Sequence, residues 1–176
     1  MKYRVLTKRD LSLYRNDIYS CFNSNKSIYD SQSPYRNNNP VDTLMSHLNN
    51  FDTILFGIFD DDESYLYGII LFENVRINTD INSAQVHIII DKAIWGKVVF
   101  GVLKKMADET IFNRIFAEIP AFTAKTVGLL KRLGFKKTGY KPDAVPYIDA
   151  SGKEKMYDLL TYTLYKKNAK NQNRSN

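Results

Sequence analysis

The sequence has a single cysteine, Cys21, so no disulfide can form within the chain. A reducing, cytoplasmic setting is the expectation. It has only two histidines, His47 and His87, and neither stands at metal-ligand spacing from another His or Cys. That pattern argues against a structural zinc site and predicts no bound metal. No apolar run approaches the roughly 18 residues that cross a bilayer. The opening residues Met1-Lys2-Tyr3-Arg4 show no apolar leader segment. No Ser-His-Asp order and no Cys–His pair stands out for nucleophilic catalysis.

What remains is the make-up of a globular domain. The chain has 176 residues, 44% hydrophobic and 13% aromatic, enough for one domain with its own core. Residues 1–165 are expected to form that domain. The net charge of +6 suggests nucleic acid, but Lys166, Lys167, Lys170 and Arg174 all lie in the final stretch. Without those four the balance is +6 minus 4, or +2, and no basic face is apparent. Residues 166–176 read as a solvated, disordered basic tail, and nucleic acid is not the expected partner.

The elements alternate in type. Tyr3–Leu6 reads as a strand, followed by a helix from about Arg9 capped by Thr7. Residues 23–40, rich in Asn, Ser, Tyr and Pro, read as a long loop. Pro40 opens a second helix, and three strands follow, over Thr53–Phe59, Tyr65–Glu73 and Gln85–Ile90. Asp60-Asp61-Asp62-Glu63 reads as a solvated turn, since adjacent carboxylates do not converge on a cation.

The chemistry concentrates after Ile90. A strand runs through Trp95-Gly96-Lys97 into a helix with Val99, Val102, Leu103 and Met106 on one face. Such a turn presents backbone N–H groups and a helix dipole to an anion, although an ordinary strand-to-helix turn has the same outline. Then come a strand, Arg114–Pro120, and a helix, Thr123–Leu133, with Gly134 where a left-handed cap belongs.

Three segments in this order resemble the GNAT superfamily of acyl-CoA-dependent N-acyltransferases: Trp95-Gly96-Lys97-Val98, Arg114–Ile119, and Leu129-Leu130-Lys131-Arg132-Leu133-Gly134-Phe135. They are most similar to the ribosomal-protein N-terminal acetyltransferase branch. The resemblance implies an α/β domain with a mixed, largely antiparallel sheet of six to seven strands and about four helices. It implies acetyl-CoA as cosubstrate and an amine of a protein or small molecule as acceptor. Backbone groups of Ile88 and Ile90 would pair with the pantetheine arm. The amides of Ile94, Trp95, Gly96, Lys97 and Val98 would cradle the pyrophosphate, and the helix from Thr123 would flank the acyl sulfur. The chain departs from the family loop, because Trp95, Val98 and Phe100 stand where Arg or Gln, Gly, and Gly or Ala are usual.

The reaction needs a base for the amine and an acid for the thiolate. The family's usual acidic Tyr is replaced here by Leu129 and Leu130. His87 is the first candidate for the catalytic base and Glu118 the second, each with a structural alternative as a hydrogen-bonded or salt-bridged strand residue. Tyr140 and Tyr147 are further candidates for the acid. His47 reads as an unremarkable residue on a surface helix. Two functions follow: an acetyl-CoA-dependent N-acetyltransferase, or a GNAT-fold binding or structural protein with weakened catalysis. The Asn-, Lys-, Ile- and Tyr-rich composition makes a phage virion or assembly component the example of the second.

Overall fold

The computed structural model describes residues 1–25, 39–78, 81–91, 94, 97–148 and 153–166. Seven strands form one sheet in the order β1-β2-β3-β4-β5-β7-β6. They are β1 (Lys2–Val5), β2 (Ile54–Phe59), β3 (Leu66–Arg76), β4 (Ser83–Ile90), β5 (Arg114–Pro120), β6 (Lys136–Ile148) and β7 (Glu154–Tyr165). Among the described residues five helices flank it: α1 (Lys8–Leu13), α2 (Arg15–Asn23), α3 (Pro40–His47), α4 (Lys97–Glu109) and α5 (Ala124–Arg132). All neighbouring strands run antiparallel except β4 and β5, which are parallel and joined through α4.

Period-two alternation divides the apolar side chains between the two sheet faces. Ile70, Phe72, Val86, Ile90, Ile115 and Ala117 pack against Leu103 and Met106 of α4 and Leu129 and Leu130 of α5. Leu55, Ile69, Leu71 and Ile89 pack against Leu11, Ile18, Cys21, Val41 and Leu44 of α1 to α3. Any β4 or β5 residue can therefore be assigned to a face by its place in the alternation.

Local chemistry sets the helix ends. Thr7 and Asp10 form a reciprocal capping box at the start of α1. The single helix expected from Arg9 is two, broken at Tyr14, whose buried ring sends its hydroxyl to the Glu63 carbonyl at 2.7 Å. Asn39 caps α3, with Pro40 at its first position. After α5, Gly134 takes φ +92°. Phe135 N then donates to Leu130 O and Gly134 N to Lys131 O, both at 3.0 Å, closing a Schellman motif.

The acidic turn is used structurally. Asp60 accepts from Ser64 Oγ at 2.7 Å and from Tyr65 N at 3.1 Å, and Asp61 pairs with the N-terminal amine. Among the described residues no group of His, Cys, Asp or Glu converges as a metal site. No helix among them is long and apolar enough to cross a membrane.

Strand β6 runs through residues 141–148, which show no strand pattern in sequence. Pro142 and Pro146 obscure it. As the outer strand of the sheet, β6 tolerates proline because its free side needs no donors. Just past the end of β7, Lys166 is hydrogen-bonded back to the segment before β5. Its backbone N donates to Asn113 O at 2.7 Å, and its ammonium donates to the carbonyls of Asp108 and Thr110. The remaining residues assigned to the tail, and most of the 23–40 loop, lie outside the described residues.

Candidate active site

The parallel strands β4 and β5 pair at only three positions: Ser83 with Arg114, Ala84 with Ile115 and Gln85 with Phe116. Beyond Gln85 they part. Strand β4 stays bonded to β3 as far as Ile90, and β5 stays bonded to β7 as far as Pro120. A wedge-shaped gap therefore opens in the middle of the sheet, between Val86–Ile90 and Ala117–Pro120.

Backbone phase shows what faces the gap. Asp91 N donates to Tyr67 O, so odd positions of β4 bond to β3. Even positions, Val86, Ile88 and Ile90, turn their backbone groups towards β5. On the other side, Lys166 N donates to Asn113 O and Ala121 N to Asp158 O, so the odd positions of β5 bond to β7. Phe116, Glu118 and Pro120 therefore turn towards β4. Pro120 has no N–H to leave unsatisfied there.

Both outer carbonyls of the gap are closed by side chains. Asn25, 4% exposed, donates from Nδ2 to Ile90 O at 2.7 Å and to Cys21 O at 2.9 Å. It ties the end of α2 to the end of β4. Thr123 donates from Oγ1 to Pro120 O at 2.7 Å and forms no side-chain cap on α5. Its hydroxyl proton is thus spent within the turn. Asn25 was not singled out from sequence, since it sits among Asn and Ser residues that read simply as loop.

The two candidate bases stand on either side of the gap. Continuing the register beyond Gln85–Phe116 by two residues sets His87 level with Glu118. Both side chains lie on the face covered by α1 to α3. Glu118 is held by Lys141 of β6, with Nζ 3.0 Å from its Oε1. His87 Nε2 lies 2.8 Å from Glu73 Oε2, and His47 Nδ1 lies 2.8 Å from Glu73 Oε1. His47 is thus not an unremarkable surface residue: it is part of a His–Glu–His cluster. The buried His87 nitrogen meets its carboxylate obliquely and has no aligned hydrogen-bond partner. The His47 ring first, and then the His87 ring, lying 2.8 Å from its two oxygens, lower the Glu73 carboxyl to about 2.

Along the outer end of the same face, Phe122, Tyr147 and Tyr157 form a cluster with ring centroids 4.8, 4.9 and 5.9 Å apart. Tyr140 points elsewhere; it is 55% exposed under Lys137.

The expected pyrophosphate cradle is only partly described. Ile94 packs against the core on the α4 side. Lys97 and Val98 are the first residues of α4, while Trp95 and Gly96 lie outside the described residues. Beside the first turn of α4, Arg132 from the end of α5 stacks over Phe100 at 4.6 Å. Phe100, which stands where the family carries Gly or Ala, thus supports a guanidinium near the helix start.

No protein-family model matches the chain, and no curated protein matches it in sequence. Solved structures do match in shape. A spermidine N-acetyltransferase from Vibrio cholerae in complex with CoA and spermine superposes with a TM-score of 0.70 at 20% identity, covering 94% of this chain and 95% of that one. The chain has the GNAT fold. A putative phosphinothricin N-acetyltransferase gives 0.67 at 21% identity, over 95% of this chain and 99% of that one. The ribosomal-protein-S5-alanine acetyltransferase from Vibrio fischeri gives 0.67 at 16% identity, over 94% and 93%. The GNAT architecture expected from sequence is present, with seven strands and five helices among the described residues. At these identities the likeness is one of fold, and it does not single out the ribosomal-protein branch.

Proposed function

We propose that the protein is an acetyl-CoA-dependent N-acetyltransferase whose acceptor is an amine of a small molecule or protein. The observation that carries this reading is the gap between β4 and β5, with His87 and Glu118 level across it on one face. GNAT-fold structures of similar shape include N-acetyltransferases, and one is a complex with CoA.

The residues present fit the cosubstrate. The gap where the pairing of β4 with β5 ends suits the amides of a pantetheine arm. The start of α4, with Arg132 beside it, suits a pyrophosphate. Bound there, the cosubstrate supplies an activated acetyl carbonyl. His87 removes a proton from the acceptor ammonium. The amine nitrogen then bonds to the acetyl carbon as the C–S bond breaks, and the amine's second proton neutralises the departing thiolate. His87 returns its proton to solvent. Glu118 and Lys141 orient the acceptor, and Tyr147 stands on the same face.

The test is release of free CoA thiol from acetyl-CoA in the presence of polyamines, small amines and peptide N-termini. The reading expects turnover with at least one class, falling roughly 100-fold in His87→Gln, within the usual range for a lost general base. Absence of turnover with every class would overturn it.

A second reading, a GNAT-fold binding protein without catalysis such as a virion component, draws on Asn25. Its amide occupies Ile90 O, one of the backbone groups the pantetheine arm was expected to use. Binding of acetyl-CoA without turnover, or copurification with a particle, would favour that reading.

A further inference from the structure

The His47–Glu73–His87 cluster joins three elements around one carboxylate. Glu73 stands on β3, His87 on β4 one position along on the same face, and His47 is the last residue of α3. All three side chains are largely covered, at 22%, 23% and 14% exposure. Each histidine takes a different oxygen of Glu73, both at 2.8 Å. The carboxylate thus lies between the two rings, an arrangement unlike metal ligation, in which the ligands share one central ion.

A carboxylate can only accept hydrogen bonds when ionised, and its two neighbours hold Glu73 ionised at any pH near neutrality. A nitrogen lone pair 2.8 Å from an ionised carboxylate oxygen would be repelled, so the ring nitrogen facing Glu73 carries the proton, even though His87 Nε2 meets its oxygen out of line. For neutral His87 that nitrogen is Nε2, which leaves the lone pair on Nδ1. For His47 the facing nitrogen is Nδ1. The tautomers of both rings are set by Glu73, and the choice is opposite in the two.

We propose that Glu73 is a positioning residue: it holds His87 in the Nε2–H tautomer, so that Nδ1 is the nitrogen that accepts the acceptor's proton, while His47 anchors the second carboxylate oxygen. The catalytic consequence rests on the acetyl-transfer reading above; the tautomer assignment does not. When His87 gains a proton at Nδ1, the resulting imidazolium keeps Nε2–H towards Glu73, whose negative charge stabilises it without accepting the proton. His47, bonded to the other oxygen, limits rotation of the carboxyl group. The proton passes from the amine to Nδ1 and then to solvent, and Glu73 ends unchanged.

The experiment is ¹⁵N-edited NMR of both histidine rings in the full-length protein above the histidine titration, with wild type, Glu73→Gln and Glu73→Asp. The proposal expects wild-type His87 as Nε2–H and His47 as Nδ1–H. In Glu73→Gln at least one ring should become a tautomer mixture. The kcat should fall roughly 10-fold or more with KM for acetyl-CoA unchanged, and Glu73→Asp should recover part of the loss. A wild-type His87 protonated on Nδ1 would overturn the proposal, as would a Glu73→Gln spectrum with both tautomers intact. Should that variant fail to fold, the wild-type spectrum still decides. Wild-type protein without turnover on any amine would sink the acetyl-transfer reading and leave the tautomer result to stand or fall alone.

Discussion

Asn25 closes the carbonyl of Ile90 with a 2.7 Å hydrogen bond from its side-chain amide. The residue is buried, and the same amide also serves Cys21 O. Asn25→Ala leaves two buried carbonyls without that donor. The expected loss is roughly 1–3 kcal/mol in urea unfolding, the usual cost of stranded buried polar groups. Asn25→Asp should behave similarly or worse, because a carboxylate cannot donate to either carbonyl. Unchanged stability in Asn25→Ala would show that this contact does not hold the end of β4.

The Glu73 cluster gives the protein an acid-sensitive element. Its carboxyl is lowered from 4.5 to about 2 in the folded chain. A group depressed in this way stabilises the fold above its unfolded value and loses that contribution as pH falls. Glu73→Gln should therefore unfold at lower urea than wild type near pH 6. The difference should shrink as pH drops from about 4.5 towards 2. A difference that stayed constant over this window would mean that the charge of Glu73 is not what the histidines stabilise.

Much of this architecture was visible in sequence. Gly134-Phe135 after an amphipathic helix specified a left-handed cap, and the cap is there. Gln85–Ile90 read as a strand, and it is one, with Ile89 and Ile90 facing opposite cores. The site was less legible. His87 and Glu118 could be named by type and strand, but their level placement follows from a register that stops at Gln85–Phe116, a tertiary property. His47 is 40 residues from His87 in the chain, and only the cross-strand pairing of β3 with β4 brings Glu73 between them. Asn25 carried no local signal, because its partners are main-chain carbonyls on α2 and β4. The second half of β6, residues 141–148, was hidden because an outer strand can carry prolines.

Arg132 is expected to contribute to CoA affinity. Its guanidinium stacks on Phe100 beside the start of α4. Arg132→Ala should raise the Kd for CoA several-fold and weaken its dependence on salt. Arg132→Lys should recover only part of the affinity, since an ammonium lacks the planar stacking surface. Equal affinities in all three proteins would remove Arg132 from the site.

Cys21 should be inert in the native protein. Burial, aided by the nearby Asp91 carboxylate, pushes its thiol up to about 12. The thiolate that reacts with disulfide reagents is therefore scarce at neutral pH. Ellman's reagent should label the single thiol only after denaturation. Rapid labelling of the native protein would show that α2 opens from the sheet.

The account turns on whether the gap between β4 and β5 receives CoA. Calorimetric titration of the full-length protein with CoA measures this directly. The account predicts saturable one-to-one binding, weakened in Arg132→Ala. No heat of binding at high micromolar CoA would contradict it and leave the GNAT fold here without its cosubstrate.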